Sequence, residues 1–528
     1  MKLAAVLLLI MSLAHVASSL TILVYLNLLA HSHLDFASTL VNVLTKRGHT
    51  VDFVLARLNS AVTSNGTHNA RTMLTAGFTE TSEWNKKEHL TSTPFDLMPD
   101  QRMILRTSWE ALNLVSESLC HKVLESKEIA DHLANHTYDI ALVSKYDGCP
   151  LALAHQYGIK RVVTYSSLAA CHFEQVYSGL PNLPIYETDT LHRSIFYKFD
   201  PTQFWMRAKN FVRTLITVFI DQTSMIERTD QIIRSHYGHD FPSVRQLGKR
   251  VSYEFVNSVP LLEEPRVLSH RIKMIGGIAF RKAGPLTDKF YEDILLRAEK
   301  GVVLISFGSQ VDKFPQHVVE TFVHAVAALP EYEFVWKYDG SLPFTPDNLH
   351  IVDWMPQKEL LQDERVVGFV SHGGMNSVVE STHSGVPFLA IPLFADQIHN
   401  AYNVERLGLG VHLSKVAISN ETMVAGLNEL LSNPKYRERS RTMAQLLAAY
   451  PENAERTLIE TLEFAARADD LHEITYLPGG DLGLHQQLGY DIVIVLYSAL
   501  LLAVYLSIKM TRLLYAALRT TPAKRKVD

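Results

Sequence analysis

Between Trp354 and Gln397 the chain concentrates groups suited to a phosphorylated, hydroxyl-rich ligand. Phe369-Val-Ser-His-Gly-Gly-Met-Asn-Ser-Val-Val-Glu380 reads as a buried strand that ends in polar residues and two glycines, then passes at once into a helix. A helix start presents unpaired N–H groups and the positive end of the helix dipole, so an anion placed there gains from both. Gly373 and Gly374 let the backbone approach it closely. His372, Asn376 and Ser377 add donors, and Glu380 lies one turn further along the same helix face. This is the chemistry of a diphosphate site. Trp354-Met-Pro-Gln357 upstream and Pro392-Leu-Phe-Ala-Asp-Gln397 downstream add an aromatic face, amides and a carboxylate.

The elements that must position these residues alternate in type. In the first half, Thr21 to Leu26, Thr50 to Leu55, Asp139 to Val143 and Arg161 to Tyr165 read as strands. Phe36 to Arg47 has helical spacing and ends at Gly48, a C-terminal helix signal. Pro150 to Tyr157 is a second helix-like stretch. The second half repeats the alternation with Val302 to Phe307, Phe334 to Lys337, His350 to Val352, Val366 to Ser371 and Pro387 to Ile391. Strands separated by helices imply parallel sheets wrapped on both faces. Between Ala170 and Val267 the pattern loosens, and Pro265, Gly276, Gly277 and Gly284 mark a break between the halves. The expectation is two doubly wound domains facing across a cleft, with ligands at the carboxyl ends of the strands.

The 528 residues suffice for two large cores. Net charge is −5, so no basic field argues for nucleic acid. Met1-Lys2, the apolar run Leu3 to Leu13 and Ala17-Ser18-Ser19 read as a signal peptide. Ile492 to Ile508 carries no charge and is bracketed by Asp491 and Lys509, which reads as one membrane span. The basic tail after it, with Arg512, Arg519, Lys524, Arg525 and Lys526, belongs on the cytosolic side. Three sequons, at Asn65, Asn135 and Asn420, fit a lumenal body. Three cysteines, Cys120, Cys149 and Cys171, allow one disulfide at most, and the sequence does not pair them.

Trp354-Met-Pro-Gln357, the Ser371 to Glu380 core and the Asp396-Gln397 end resemble the signature of the UDP-glycosyltransferase family. The signal peptide, single C-terminal span and basic tail resemble its animal membrane-bound branch, the UDP-glucuronosyltransferases. The resemblance implies a GT-B fold: two facing Rossmann-like α/β domains plus one C-terminal transmembrane helix. It implies a signal peptide over 1–19, an acceptor-binding domain over 20–265 and a UDP-sugar-binding domain with closing helices over 266–487. A span over 488–510 and a cytosolic tail over 511–528 complete the expected layout. By position, Trp354 would stack on uracil and Gln357 would hydrogen-bond near it. Ser309, His372, Gly374, Asn376 and Ser377 would surround the diphosphate, Glu380 the ribose, and Asp396 and Gln397 the sugar hydroxyls. His33, in Ala30-His31-Ser32-His33, would be the general base of an inverting transfer, with His31 the competing position. UDP-glucuronate or UDP-glucose would be the donor and a small lipophilic hydroxyl compound the acceptor. No cofactor or metal is expected: the chain has no Asp-x-Asp motif. The chain's Lys524 and Lys526 resemble a dilysine retrieval signal of the endoplasmic reticulum.

One position departs from the family pattern. An acidic residue usually follows the strand of the Tyr138 to Val143 type and orients the histidine. Here that position is Ser144, followed by Lys145, Tyr146 and Asp147. Four readings follow: Asp147 reaches the histidine instead, His33 works with weaker support, the acceptor is unusually acidic, or the chain is catalytically impaired. An impaired member would keep the donor fold and act as a binding or regulatory partner, forming homo- or hetero-oligomers. A processive glycan or ceramide transferase shares the same signature.

Overall fold

The computed structural model describes residues 19–57, 62–78, 117–169, 187–188, 198–216, 223–308, 311 and 314–520. The signal-peptide stretch, Cys171, Ser309 and the Lys524 to Lys526 tail lie outside the described residues.

Apolar β-branched runs such as Thr21–Leu28 and Val302–Ser306 are buried almost end to end, as strands covered on both faces must be. In the first sheet they are β1 (Thr21–Leu28), β2 (Thr50–Arg57), β3 (Thr72–Gly77), β4 (Ile140–Ser144), β5 (Val162–Ser166), β6 (Val251–Val256) and β7 (Ile272–Met274). In the second they are β8 (Val302–Ser306), β9 (Glu333–Lys337), β10 (Leu349–Val352), β11 (Val366–Ser371), β12 (Phe388–Ala390) and β13 (Gly410–His412). The spatial orders are β3-β2-β1-β4-β5-β6-β7 and β10-β9-β8-β11-β12-β13, and the paired strands run parallel. Each sheet has apolar clusters on its two faces. In each, the first strand of the half lies centrally, and connections leave to opposite edges. That reversal opens a crevice at the carboxyl ends of β1 and β4, and another at those of β8 and β11.

The central strands stand where the sequence pattern puts them. The edge strands β3, β7 and β13 carry too few apolar residues to announce themselves. The break is later than the expected boundary at 265, because β7 still pairs with β6 in the first sheet. The helix expected from Phe36 begins at His31, with Ala30 as an uncapped start, so His33 sits in its first turn rather than in a loop. The closing helices do not stay with the second sheet. Leu458 and Leu462 of the helix Ala454–Ala465 are buried in the core beneath β1 and β2. Glu463 pairs with Arg47, and Arg271 donates to Thr475 Oγ1 at 3.0 Å. From there the chain enters a helix, Tyr490–Thr520, longer than the expected span of 488–510 and exposed along its whole apolar length.

Candidate active site

The crevice of the second sheet is built by short connections. β11 ends at Ser371, Gly373 takes a left-handed φ of 82°, and the helix Met375–His383 starts with Gly374 as its N-cap. No side chain caps that helix start, so the N–H groups of its first turn remain available. The ring of His372 lies between two glycine backbones: a Cβ on Gly374 would fall 2.6 Å from its Nε2, and one on Gly308, after β8, 3.0 Å from its Cε1. Enclosure lowers the His372 pKa to about 4, so the ring is neutral near pH 7. Its Nδ1 lies 3.1 Å from Ser371 Oγ; with that hydroxyl donating, Nε2 carries the proton and becomes a donor beside the helix start. Ser377 is buried and Asn376 half-buried on the first turn.

Trp354 is 75% exposed, although large aromatics normally bury. Its backbone carbonyl accepts from Tyr291 Oη at 2.7 Å, and Lys337 Nζ stands 5.4 Å from the ring centre. A ring held this way presents a face for a base to stack on. Gln357 Nε2 donates to Glu380 Oε2 at 2.7 Å, which joins the expected uracil and ribose contacts. Burial raises the Glu380 pKa, opposed by Gln357 and Lys358.

Ala395 is the one non-glycine with positive φ among the described residues, at 52°. Such a conformation costs on the order of 1–3 kcal/mol and collects at functional sites. It precedes Asp396 and Gln397, both buried at the start of the helix Gln397–Arg406. Gln397 Oε1 accepts from the N–H groups of Leu393 and Phe394 at 2.9 and 3.1 Å, which leaves its amide nitrogen to donate. Burial pushes Asp396 up to about 6. Asn400 Nδ2 donates to Asp396 Oδ2 at 3.1 Å and to Gly373 O at 3.0 Å, bracing the loop before Gln397 against the loop after β11. Behind them His399 Nε2 meets the buried Glu263 of the interdomain segment, and Arg406 donates to the Glu263 carbonyl. Burial would raise Glu263, but His399 and Arg266 outweigh it and hold the carboxyl well below its ordinary value. Asn400, Lys337, Glu263 and His399 are not among the residues expected from the sequence; of these, Asn400 alone carries a local signal, one helical turn from Asp396.

The crevice of the first sheet is arranged differently. His33 is buried, its ring parallel to Tyr146 at 5.2 Å, and its Nδ1 has no partner among the described residues. Burial lowers its pKa to about 4. Asp147 does not reach it. Asp147 accepts from Asn27 Nδ2 at 2.6 Å and from the Cys149 N–H at 3.0 Å. Asn27 Oδ1 in turn accepts from Ser144 Oγ at 2.7 Å. This buried chain closes on itself, and burial raises Asp147 to about 6. The expectation that Asp147 replaces the missing acid is therefore corrected: its two oxygens are already claimed by β1 and by the turn that Cys149 begins. Cys149 is bonded to Cys120, the pairing the sequence left open. Two residues beyond His33, Asp35 lies within electrostatic range of Lys358 and Glu380, so the two crevices face one another.

Two facing parallel sheets with these crevices are the architecture of the GT-B fold. Solved structures agree. The kitacinnamycin glycotransferase aligns with a TM-score of 0.58 at 20% identity, covering 85% of this chain and 99% of its own. The calicheamicin glycosyltransferase CalG4 gives 0.55 at 18%, with the same coverage. The chain matches the family described as UDP-glucoronosyl and UDP-glucosyl transferase over residues 21–525, and it belongs to that family. It is a UDP-glycosyltransferase. Among its relatives are UDP-glucuronosyltransferase 2B16 of Oryctolagus cuniculus, 25% identical with 94% of this chain and 95% of the relative covered. UDP-glucuronosyltransferase 3A1 of Bos taurus is 30% identical, with 63% of each covered. The 2-hydroxyacylsphingosine 1-beta-galactosyltransferase of Rattus norvegicus is 25% identical, with 87% and 82% covered.

Proposed function

We propose that the protein transfers glucuronic acid or glucose, with inversion, from its UDP-sugar to acidic hydroxyl groups of small lipophilic acceptors. The observation that carries this reading is the facing of the two crevices through Asp35, Lys358 and Glu380. His33, neutral at pH 7, accepts the acceptor's proton. The acceptor oxygen attacks the anomeric carbon from the side opposite UDP, and the bonding pair of the departing group stays on the diphosphate. The helix start, His372, Asn376 and Ser377 hold that charge, with Ser309 as the further expected contact. Trp354 and Gln357 hold uracil, Glu380 the ribose, and Asp396 and Gln397 the sugar. A base whose pKa lies well below the working pH is weak, so phenol-like acceptors, which surrender their proton more readily, suit it best.

The test is His33→Ala. Turnover should fall by about 10²–10⁴-fold while UDP affinity stays unchanged; a parallel loss of UDP affinity would remove the role assigned to His33. Competition of UDP-glucuronate against UDP-glucose identifies the donor sugar.

The second reading, a binding or regulatory partner of active relatives, is favoured by the unpartnered Nδ1 of His33 and by Asp147 bonding elsewhere. Failure of the wild type to release UDP with any phenol, alongside an active Ser144→Asp variant, would select it. In either reading the body is placed in the lumen of the endoplasmic reticulum, anchored by Tyr490–Thr520 as a single-pass type I protein. The disulfide and the exposed Asn65, Asn135 and Asn420 support an oxidising, glycosylating compartment.

A further inference from the structure

The connection from β6 to β7, residues 257–271, belongs to the first sheet by its ends, yet its middle is buried in the second domain. Both flanking strands pair in the first sheet, β6 with β5 and β7 with β6. Between them, Val259 and Leu262 are buried in an apolar cluster with Met375, Val378 and Val379 of the helix after β11, and with Ala401 and Val404 of the helix Gln397–Arg406. Glu263 follows, its side chain 2% exposed. A carboxylate taken so far from water needs several donors. Its Oε2 accepts from Ser258 Oγ at 3.2 Å, and its Oε1 from the Glu264 N–H at 3.0 Å. These two come from its own segment. The others come from the second domain: His399 Nε2 and, at 3.4 Å, Asn403 Nδ2 both reach Oε1. Arg406 holds the Glu263 carbonyl at 3.1 Å.

His399, Asn403 and Arg406 stand at i, i+4 and i+7, so one face of the helix Gln397–Arg406 is given over to Glu263. The same helix begins at Asp396 and Gln397, and its Asn400 holds Gly373 O. Gly373 is pressed against it: a Cβ there would fall 3.1 Å from Gln397 O. The helix is a rigid bar, with the first domain's connection on one face and two loops of the second crevice at its start. A second tie to the first half, Lys198 to Glu405 at 3.1 Å, is exposed at 75% and 36% and contributes little. A buried charge pair adds little net stability, because desolvation offsets the attraction; what its bonds supply is direction.

We propose that Glu263 is a positioning residue. Through His399, Asn403 and Arg406 it sets the rotation and depth of the helix Gln397–Arg406, and so the place of Asp396 and Gln397. The proposal rests on the assignment of those two residues to the donor sugar. It makes recognition of the sugar depend on the first domain's own connection, whereas Trp354, Gln357 and the helix start after β11, assigned to UDP, are carried by other elements.

Calorimetry on the full chain in detergent micelles, without acceptor, compares UDP with UDP-glucuronate and UDP-glucose. Glu263→Gln keeps the shape and removes the charge. It should weaken the better-bound UDP-sugar about tenfold, or about 1.4 kcal/mol, the size of one hydrogen bond to a charged group, while UDP binding stays within about twofold. His399→Leu should do the same from the other side of the contact. His399→Gln offers an amide N–H near the place of Nε2 and should recover most of that loss. Should Glu263→Gln fail to fold, the two His399 variants carry the test. Equal losses for UDP and UDP-sugar, or none for either, would overturn the proposal, as would His399→Gln behaving like His399→Leu. Asp396→Asn separates the proposal from its premise. If that change leaves the ratio of the two affinities unmoved, the sugar assignment falls and the proposal with it. A ratio moved by Asp396→Asn but not by Glu263→Gln or His399→Leu removes the proposal alone.

Discussion

The carboxyl ends of β11 and of β1 with β4 occupy equivalent places in the two sheets, yet their polar groups are spent in opposite ways. After β11, the helix start is left uncapped, His372 is wedged between Gly308 and Gly374, and Asn400 braces two loops. After β1 and β4, Asn27, Ser144 and Asp147 satisfy one another, and His33 is left with an aromatic ring beside it. A site that binds a preformed anion needs donors aimed at empty space. A site that moves a proton needs a base with a partner, and here the side chains of Ser144 and Asp147 are bonded to Asn27 and not to His33.

Four changes would break or sharpen that contrast. Gly374→Val drives a side chain into the His372 ring and should weaken UDP binding by at least about 100-fold, or roughly 2.8 kcal/mol, by calorimetry. Unaltered affinity would mean the diphosphate does not sit on this helix start. Trp354→Ala removes an exposed ring, so folding stability should hold while UDP affinity drops by about 1–3 kcal/mol, near thirtyfold; equal affinity for UDP and for inorganic pyrophosphate in the wild type would argue against stacking. Ser144→Asp should raise kcat/KM for phenols roughly tenfold by stabilising the imidazolium. The sign of its pH effect is fixed. His33 acts when neutral, so the wild-type acid limb set by this group lies near pH 4; a carboxylate at 144 raises the pKa and moves the limb upward. A limb that stays in place would show that position 144 does not face His33. Asp147→Asn should change turnover by less than about threefold yet lower stability by about 1–3 kcal/mol, because an amide cannot accept from both Asn27 and Cys149. A large loss of kcat with the stability intact would return Asp147 to the catalytic machinery.

The same contrast explains what could be read from the sequence. The crevice of the second sheet is nearly contiguous in sequence: a strand, two glycines and a helix within Phe369 to Glu380, with Trp354 and Gln397 close on either side. Local backbone rules connect such residues before any tertiary contact is known. The partner of Asp147 lies 120 residues away, the partner of His399 lies 136 away, and both depend on how strands are ordered in space. Nothing in the spacing of Cys120 and Cys149 excluded Cys171.

The helix Ala454–Ala465 carries a consequence for how the molecule is made. Its Leu458 and Leu462 complete a core whose first strand begins at Thr21, so the domain synthesised first is finished almost last. While the second domain is being translated, the first waits with an apolar face open. A chain cut short anywhere before Ala454 keeps that face uncovered for good, however intact the crevice of its second sheet. Quality control in the cell would therefore act on the earliest-made half of a truncated chain, and a fragment ending there should be degraded or held by chaperones rather than secreted.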